Sequence, residues 1–303
     1  MSSILISLKT IISFSFPAIV LISLIANSLS FYIFSRKSFQ NTVFSIYFRF
    51  YLVFQTLNLI MPINKMFELN LDSHFSRISD FTCKIRYYYL NLNYSNCSWL
   101  LVVVSLDRYM SISYPAKFMI RKKSMFQILT CCLVILFNAC FFTSSLFYHL
   151  KETNQTNQTA FKINIECVSP GIWFDFKKIL QQILIPFIFM ILFTLLTIKN
   201  IYRSRKITSS STSKTINNNN DRKFTFTSIV VNILFLIFNF PYYFILMIQQ
   251  NSNFFVNLND LYKFLEAFTH FLLYINLGFT FFINYFVNSM FKKEIEIILN
   301  RKL

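Results

Sequence analysis

Leu106-Asp107-Arg108-Tyr109-Met110-Ser111-Ile112-Ser113-Tyr114-Pro115 closes an apolar run that begins near Ile85. It sets an acid and a base side by side at one end of that run. If the run is a membrane helix, such a pair is costly unless the two groups neutralise each other or do work. The surrounding sequence decides whether the condition holds. The chain has 303 residues, of which 55% are hydrophobic and 14% charged, against about 25% charged in an ordinary soluble domain. Mean hydropathy is +0.50, so the bilayer is the expected solvent. Disorder is excluded, because a disordered chain has low hydrophobicity. A net charge of +17 does not imply a nucleic-acid partner, since that reading needs a basic soluble face. Two glycines in the whole chain exclude Gly-rich phosphate loops.

Apolar stretches of about 20 residues are candidate spans. Seven can be marked, at 12–35, 43–63, 85–112, 126–148, 173–201, 224–248 and 261–287. The first is too long for the core of a signal peptide and lacks a small-residue cleavage site, so it reads as a retained span. The expectation is an all-α membrane protein, a single domain over 1–303, with a seven-helix bundle. No solenoid or inverted repeat is visible. With so little glycine, the helices are expected to pack through bulky Phe and buried Asn and Gln rather than through close Gly contacts.

Charge sets the orientation. The segments after spans one, three and five, with the tail, carry 17 Lys and Arg; the opposite segments carry 10, with eight of the 12 acids. The 17-charge face is therefore expected to be cytoplasmic, with the N-terminus outside, the C-terminus inside and the chain a multi-pass protein of the plasma membrane. Two sequons, at Asn154 and Asn157, fall between spans four and five on the outer side, where a glycan can be attached. Those at Asn93 and Asn96 lie within a span, out of reach. Of six cysteines, four lie inside spans, where Cys is a small apolar filler. Cys83 and Cys167 are the one outward pair, and extracellular thiols tend to be oxidised; a Cys83–Cys167 disulfide is predicted. The segment 204–222, rich in Ser, Thr and Asn, reads as a flexible linker.

The chain now resembles the rhodopsin-like G-protein-coupled receptors, whose third span ends in Asp-Arg-Tyr with Pro seven residues after the Arg. Asp107, Arg108, Tyr109 and Pro115 have that pattern, and Cys83 stands 25 residues before Arg108 as the family's disulfide cysteine does. Asn27 sits where the family keeps an Asn in span one, after Ala26 rather than Gly. Pro186 and Pro241 match the Pro residues of spans five and six, where a Pro frees backbone groups and can make a hinge. Phe291–Ile298 resembles the family's short amphipathic helix on the inner leaflet, here placed at 289–299, and membrane lipids are its expected partners. The resemblance implies an extracellular ligand, a heterotrimeric G protein as partner, and Arg108 as a switch that is held by Asp107 at rest and freed on activation.

The departures are as informative. Gln55 stands where the family has an Asp in span two, which argues against a bound sodium ion. Asn239 replaces the Trp before the span-six Pro. Asn-Pro-x-x-Tyr is absent from span seven, leaving Asn284 or Tyr285 for the Tyr role. The chain reads as a divergent member of invertebrate type.

Leu90 lies about five helical turns outside Arg108, where amine receptors carry an Asp, so a monoamine is not expected. Tyr274 stands near the place of the opsin Schiff-base Lys, so neither is retinal. The expected pocket comprises Arg86, Tyr87, Leu90, Tyr94, Gln181, Tyr242, Glu266 and His270. Mixed charge among aromatics suits a peptide or another polar ligand, with Glu266 accepting a cation from it; an internal pair of Glu266 with Lys263 or Lys177 is the alternative. The three His are scattered and no metal spacing or nucleophile motif appears, so no enzyme and no cofactor is implied. A seven-span channel or transporter, and a receptor-like scaffold that does not signal, are the other readings.

Overall fold

In hydrocarbon every backbone N–H and C=O must be satisfied within the segment that carries it, and the chain answers with helices nearly throughout. The computed structural model describes residues 2–40, 42–64, 79–114, 123–157, 160–168, 171–208, 215–251 and 259–300. In chain order these hold α1 (Ser2–Phe34), a short α2 (Lys37–Gln40), α3 (Val43–Asn58), α4 (Asp80–Ser113) and α5 (Ser124–Phe141). A 3-10 turn (Phe142–Phe147), β1 (His149–Asn157) and β2 (Ala160–Val168) follow. Then come α6 (Ile172–Ile179), a π-helical turn (Leu180–Leu184), α7 (Ile185–Thr208), α8 (Thr215–Asn251), α9 (Asn259–Val287) and α10 (Ser289–Asn300). The seven spans are α1, α3, α4, α5, α6–α7, α8 and α9; α10 is the short amphipathic helix. Pro115 lies outside the described residues.

Among the described residues six helices are long and apolar enough to cross a membrane by length and composition, and α4 is the span not among them. Its position explains this. The stretch from Leu90 to Arg108 is buried on nearly every side, with Asn91, Asn93, Ser95, Asn96, Ser98, Ser105 and Asp107 among the buried residues. A helix wrapped by its neighbours needs no continuous lipid-facing surface and can spend positions on polar bonds. The peripheral spans do the reverse, exposing Leu21, Leu133, Leu136, Leu195 and Phe286. α4 begins at a capping box: the Thr82 N–H donates to Ser79 Oγ (3.2 Å) and the Ser79 N–H to Thr82 Oγ1 (3.1 Å), satisfying two end donors reciprocally.

Three features depart from the sequence reading. The segment between α5 and α6 is an antiparallel hairpin, in register Leu150↔Cys167, Asn154↔Ile163 and Asn157↔Ala160. It is tied to the top of α4 by the Cys83–Cys167 disulfide and by the Leu150 N–H, which donates to Asp80 Oδ1 (2.8 Å). The linker reading of 204–222 is corrected: α7 runs to Thr208 and α8 starts at Thr215. Extending an existing helix incurs no nucleation cost, so a Ser/Thr/Asn-rich stretch continues the spans on both sides. The expectation against glycine contacts is corrected too. A Cβ on Gly278 of α9 would collide with Ser23 Oγ of α1 and lie 2.8 Å from Ser23 Cα, so one of the two glycines sits where the first and seventh spans touch.

Candidate functional site

At the Asp-Arg end, Arg108 Nη2 lies 2.6 Å from Asp107 Oδ2, and the two side chains are only 5% and 6% exposed. The guanidinium carbon also stands 5.6 Å from the centroid of the Phe44 ring on α3, within cation–π range. Phe44 is one member of an aromatic plug. It stacks on Phe48 (4.0 Å between centroids) and packs on Phe224 of α8 (5.2 Å), which meets Phe39 of α2 (6.0 Å). Phe34 of α1 joins Phe39 (5.2 Å) to Phe291 of α10 (5.4 Å). Five helices thus converge on rings whose stacked, tilted and edge-to-face contacts add to their burial. Tyr109 points away from this plug and stacks on Phe193 of α7 (6.1 Å). α10 is seated by a cap and an ion pair: Asn288 Oδ1 accepts from the Met290 and Phe291 N–H groups (3.1 and 3.3 Å), and Arg36 Nε lies 3.0 Å from Glu294 Oε2.

The middle of the bundle is held by neutral amides. Asn27 Nδ2 donates to the Leu277 carbonyl across α1 and α9 (3.0 Å). Gln55, in the family's Asp position, donates to Tyr51 Oη (2.5 Å) and the Asn276 carbonyl (3.3 Å), and accepts from Thr280 Oγ1 (3.3 Å). Its amide thus fills with protein partners the place where a carboxylate would face an ion. Asn232 Nδ2 donates to Ser105 Oγ (2.7 Å), linking α8 to α4. Asn239 Nδ2 turns back to the Phe235 carbonyl (2.5 Å) and Asn284 Nδ2 to that of Thr280 (2.8 Å), both within their own helix. Asn284 is fully buried, while Tyr285 is only partly so.

The π-helical turn just before Pro186 is the local feature the sequence reading missed. Gln181 and Gln182 are both buried, although neighbours on an α-helix point about 100° apart at 3.6 residues per turn. Widening the turn, as π-bulges do at functional sites, lets both face the bundle. Gln181 Nε2 reaches Asn138 Oδ1 (3.4 Å) and its carbonyl accepts from Trp99 Nε1 (3.1 Å). Gln182 donates to Asn91 Oδ1 (3.0 Å) and accepts from Tyr243 Oη (3.1 Å). Asn138 in turn donates to Asn96 Oδ1 and accepts from Ser95 Oγ (2.8 Å each). One turn therefore joins α4, α5 and α8. The doubled Gln just before a Pro, and single Asn residues in apolar spans, were the available signals.

At the disulfide end the expected pocket residues divide. His270 packs on Tyr242 (4.6 Å) and Tyr274 (5.7 Å), and its Nε2 is 3.9 Å from Glu266 Oε1. Tyr94 lies below, in an apolar cluster with Phe16, Leu59, Leu273 and Leu277. Tyr87 instead stacks on Tyr148 (4.3 Å) under the hairpin. Arg86 and Leu90 line a separate crevice of about 310 Å³ between residues 60–64 and the outer turns of α4. The Lys177 alternative for Glu266 is corrected: Lys177 Nζ sits 4.3 Å over the Phe141 ring on α5, and Glu266 faces His270. The side chain of Lys263 lies outside the described ones. The sequon residues Asn154 and Asn157 stand on β1, the second at the hairpin's tip.

Comparison with curated proteins finds no match. The family model described as the 7 transmembrane receptor (rhodopsin family) matches residues 14–278, a stretch that takes in the Asp-Arg pair, the disulfide, the hairpin and Pro186 and Pro241. The chain belongs to the rhodopsin family of seven-transmembrane receptors.

Proposed function

We propose that this receptor binds an extracellular ligand, a peptide by preference, at its disulfide end and activates a heterotrimeric G protein through its Asp-Arg end. The observation that carries the proposal is the state of Arg108: buried, paired with Asp107 at 2.6 Å and held over Phe44. A buried cation with a single carboxylate partner has two arrangements open to it, one internal and one in which an incoming protein replaces the carboxylate. A ligand that favours the second shifts the population. The plug of Phe39, Phe44 and Phe224 ties α8 to α2 and α3, so displacing α8 is what would clear the way. Pro241 in α8, two residues beyond Asn239, and Pro186 beside the π turn are the hinges we assign. Asn27 and Gln55 serve as the polar scaffold that joins α1 and α3 to α9, with Asn284 and Tyr285 assigned to the role of the family's span-seven Tyr, and Tyr109 and Pro115 to the coupling motif.

For the ligand, Tyr94, Tyr242, Glu266 and His270 form the nucleus of the pocket, with Arg86, Tyr87, Leu90 and Gln181 around it. Glu266 beside His270 is an acceptor for a ligand cation. The excess of Lys and Arg on the Asp-Arg face supports a cytoplasmic Asp-Arg face with the N-terminus outside; an extracellular ligand calls for the plasma membrane, and Asn154 and Asn157 are then on the side where glycans attach.

The test is ligand-free G-protein recruitment in cells. Asp107→Asn should raise basal recruitment and Arg108→Ala should abolish it at equal surface expression. Unchanged recruitment in both variants would overturn the coupling assignment and favour a receptor-like scaffold. That second reading draws on Asn284, whose amide bonds its own helix where the family places Asn-Pro-x-x-Tyr.

A further inference from the structure

Where α5 and α6 meet at the disulfide end, a small recess is lined by Asn91, Ser144, Ser145, Tyr148, Lys177 and Lys178, walled by phenylalanines. Its space is about 10 Å³, the room of a single water. The polar groups around it are unbalanced. Asp175 is its carboxylate, and that group lies 3.6 Å from Lys178 Nζ and accepts from Tyr148 Oη (3.0 Å). Lys177 has the Phe141 ring for its partner, and among the described residues no carboxylate lies within ion-pair distance of it. Ser145 Oγ accepts from Asn91 Nδ2 (3.0 Å), which leaves the hydroxyl hydrogen to be donated. The recess thus offers two ammonium groups and a hydroxyl against one engaged carboxylate, a net charge of about +1.

A lysine inside an apolar span is by default a site in search of a partner, and Lys177 lies one turn into the span that starts at Trp173. Lys177, held over the Phe141 ring of α5, is exposed, while Asn91 and Ser145 in the same lining are buried. Phe147 follows Ser144 and Ser145 in the chain, Trp173 and Phe176 precede Lys177 on α6, and the three are 66%, 78% and 40% exposed. A cationic, donor-rich notch beside an apolar ridge matches a molecule with an anionic head and an apolar tail. The single net charge suits a carboxylate, one oxygen of which takes the water-sized space, rather than a phosphate monoester with its charge of about −2.

The geometry points to a binding site for an amphiphilic carboxylate entering from the bilayer, its head between Lys177, Lys178 and Ser145 and its tail along Phe147, Trp173 and Phe176. The head displaces the water-sized space and draws Lys177 off Phe141. The back wall, Asn91, is bonded to Gln182 and through it to Tyr243 of α8, so the site abuts the amide network at the π turn. It stands independently of the coupling proposal.

The test is equilibrium binding of radiolabelled decanoate to the full chain in zwitterionic nanodiscs, with empty nanodiscs as background. Saturable one-to-one binding is expected, displaced by decanoate and at least tenfold less well by decanamide or decyl phosphate. Lys177→Gln should weaken binding at least tenfold, as a lost charge-assisted contact implies, and Lys177→Arg should stay within threefold of wild type. Equal displacement by decanamide or decyl phosphate, or wild-type affinity in Lys177→Gln, overturns the site. Lys177 is exposed and touches one ring, so its variants are expected to fold; should they not, the competition series on the wild type decides alone. Because the readout is binding, a chain that never recruits a G protein can still pass or fail it.

Discussion

Replacing Gly278 by alanine tests how the first and seventh spans meet. The added methyl would collide with Ser23 Oγ and lie 2.8 Å from the Ser23 Cα and 2.9 Å from its Cβ, where carbon pairs normally sit about 3.5–4.0 Å apart. The side-chain oxygen can swing away, but the Cα is backbone. To reach ordinary packing, α1 and α9 must separate by at least about 0.7 Å. The neighbouring bond from Asn27 Nδ2 to the Leu277 carbonyl is 3.0 Å long, and such a shift takes it past the useful limit of about 3.2–3.5 Å. Overpacking costs about 1–3 kcal/mol, and a helix-to-helix hydrogen bond in a membrane about 0.6–1.7 kcal/mol. Gly278→Ala should therefore destabilise the bundle by about 2–4 kcal/mol, read as a lowered thermal midpoint of the purified chain in detergent. Adding Ser23→Gly removes the clashes with the side chain but leaves the one with the backbone, and should restore part of the loss. A Gly278→Ala midpoint equal to wild type, or no recovery in the double variant, would refute the close-packing argument.

Other parts of the structure give shorter predictions. Asn138→Leu removes its bonds to Ser95, Asn96 and Gln181, which at membrane values should cost about 1–3 kcal/mol; an unchanged midpoint would mean the amides re-pair without it. Glu294→Arg should release α10, raising cleavage by a lysine-specific protease after Lys292 and Lys293, and Arg36→Glu in the same chain should restore the pair at about 1 kcal/mol. Asp80 has its carboxyl held below the usual range by the Lys84 ammonium, with the Leu150 N–H adding to this. The anchor it provides is thus complete above the ordinary carboxylate pKa of about 4 and lost as pH falls through the lower folded value. Wild type should accordingly hold the hairpin better than Asp80→Asn at neutral pH, by amide exchange at Leu150, and the two should converge in acid.

What could be read from the chain, and what could not, follows from how each signal arises. Spans are legible because hydrocarbon demands about 20 apolar residues whatever surrounds them. The Asp-Arg pair is legible because adjacent charges in such a setting have few bland explanations. Pairing between helices leaves no such trace. Nothing in Asn138 or Gln182 says which helix it will face, and Gly278 looks like an isolated glycine until Ser23 is placed against it. The hairpin was half legible. Phe161, Ile163, Ile165 and Cys167 alternate with Lys162, Asn164 and Glu166, the period-2 pattern of a strand. Its partner strand, Lys-Glu-Thr-Asn-Gln-Thr-Asn, has two Thr that favour a strand, but Lys, Glu and Asn among the rest are depleted in strands and no apolar residue alternates with them. That strand is set by its pairing with Ala160–Val168 and by the anchors at Asp80 and Cys83, which are tertiary facts.

The polarity of α4 has the same tertiary origin. Among the described residues the span richest in buried polar side chains is the one the other helices surround, and its Asn91, Ser95, Asn96 and Ser105 each bond a residue of another span or turn. Among the buried groups of the described residues, the amides far outnumber the charges, and the charges that remain, Asp107 and Arg108, neutralise each other at one end. Neutral amides can exchange partners at small cost, because each can both donate and accept, whereas a buried ion pair resists opening until a replacement arrives. A bundle built this way has a middle held by exchangeable amides and a single buried ion pair, Asp107–Arg108, at one end among the described residues.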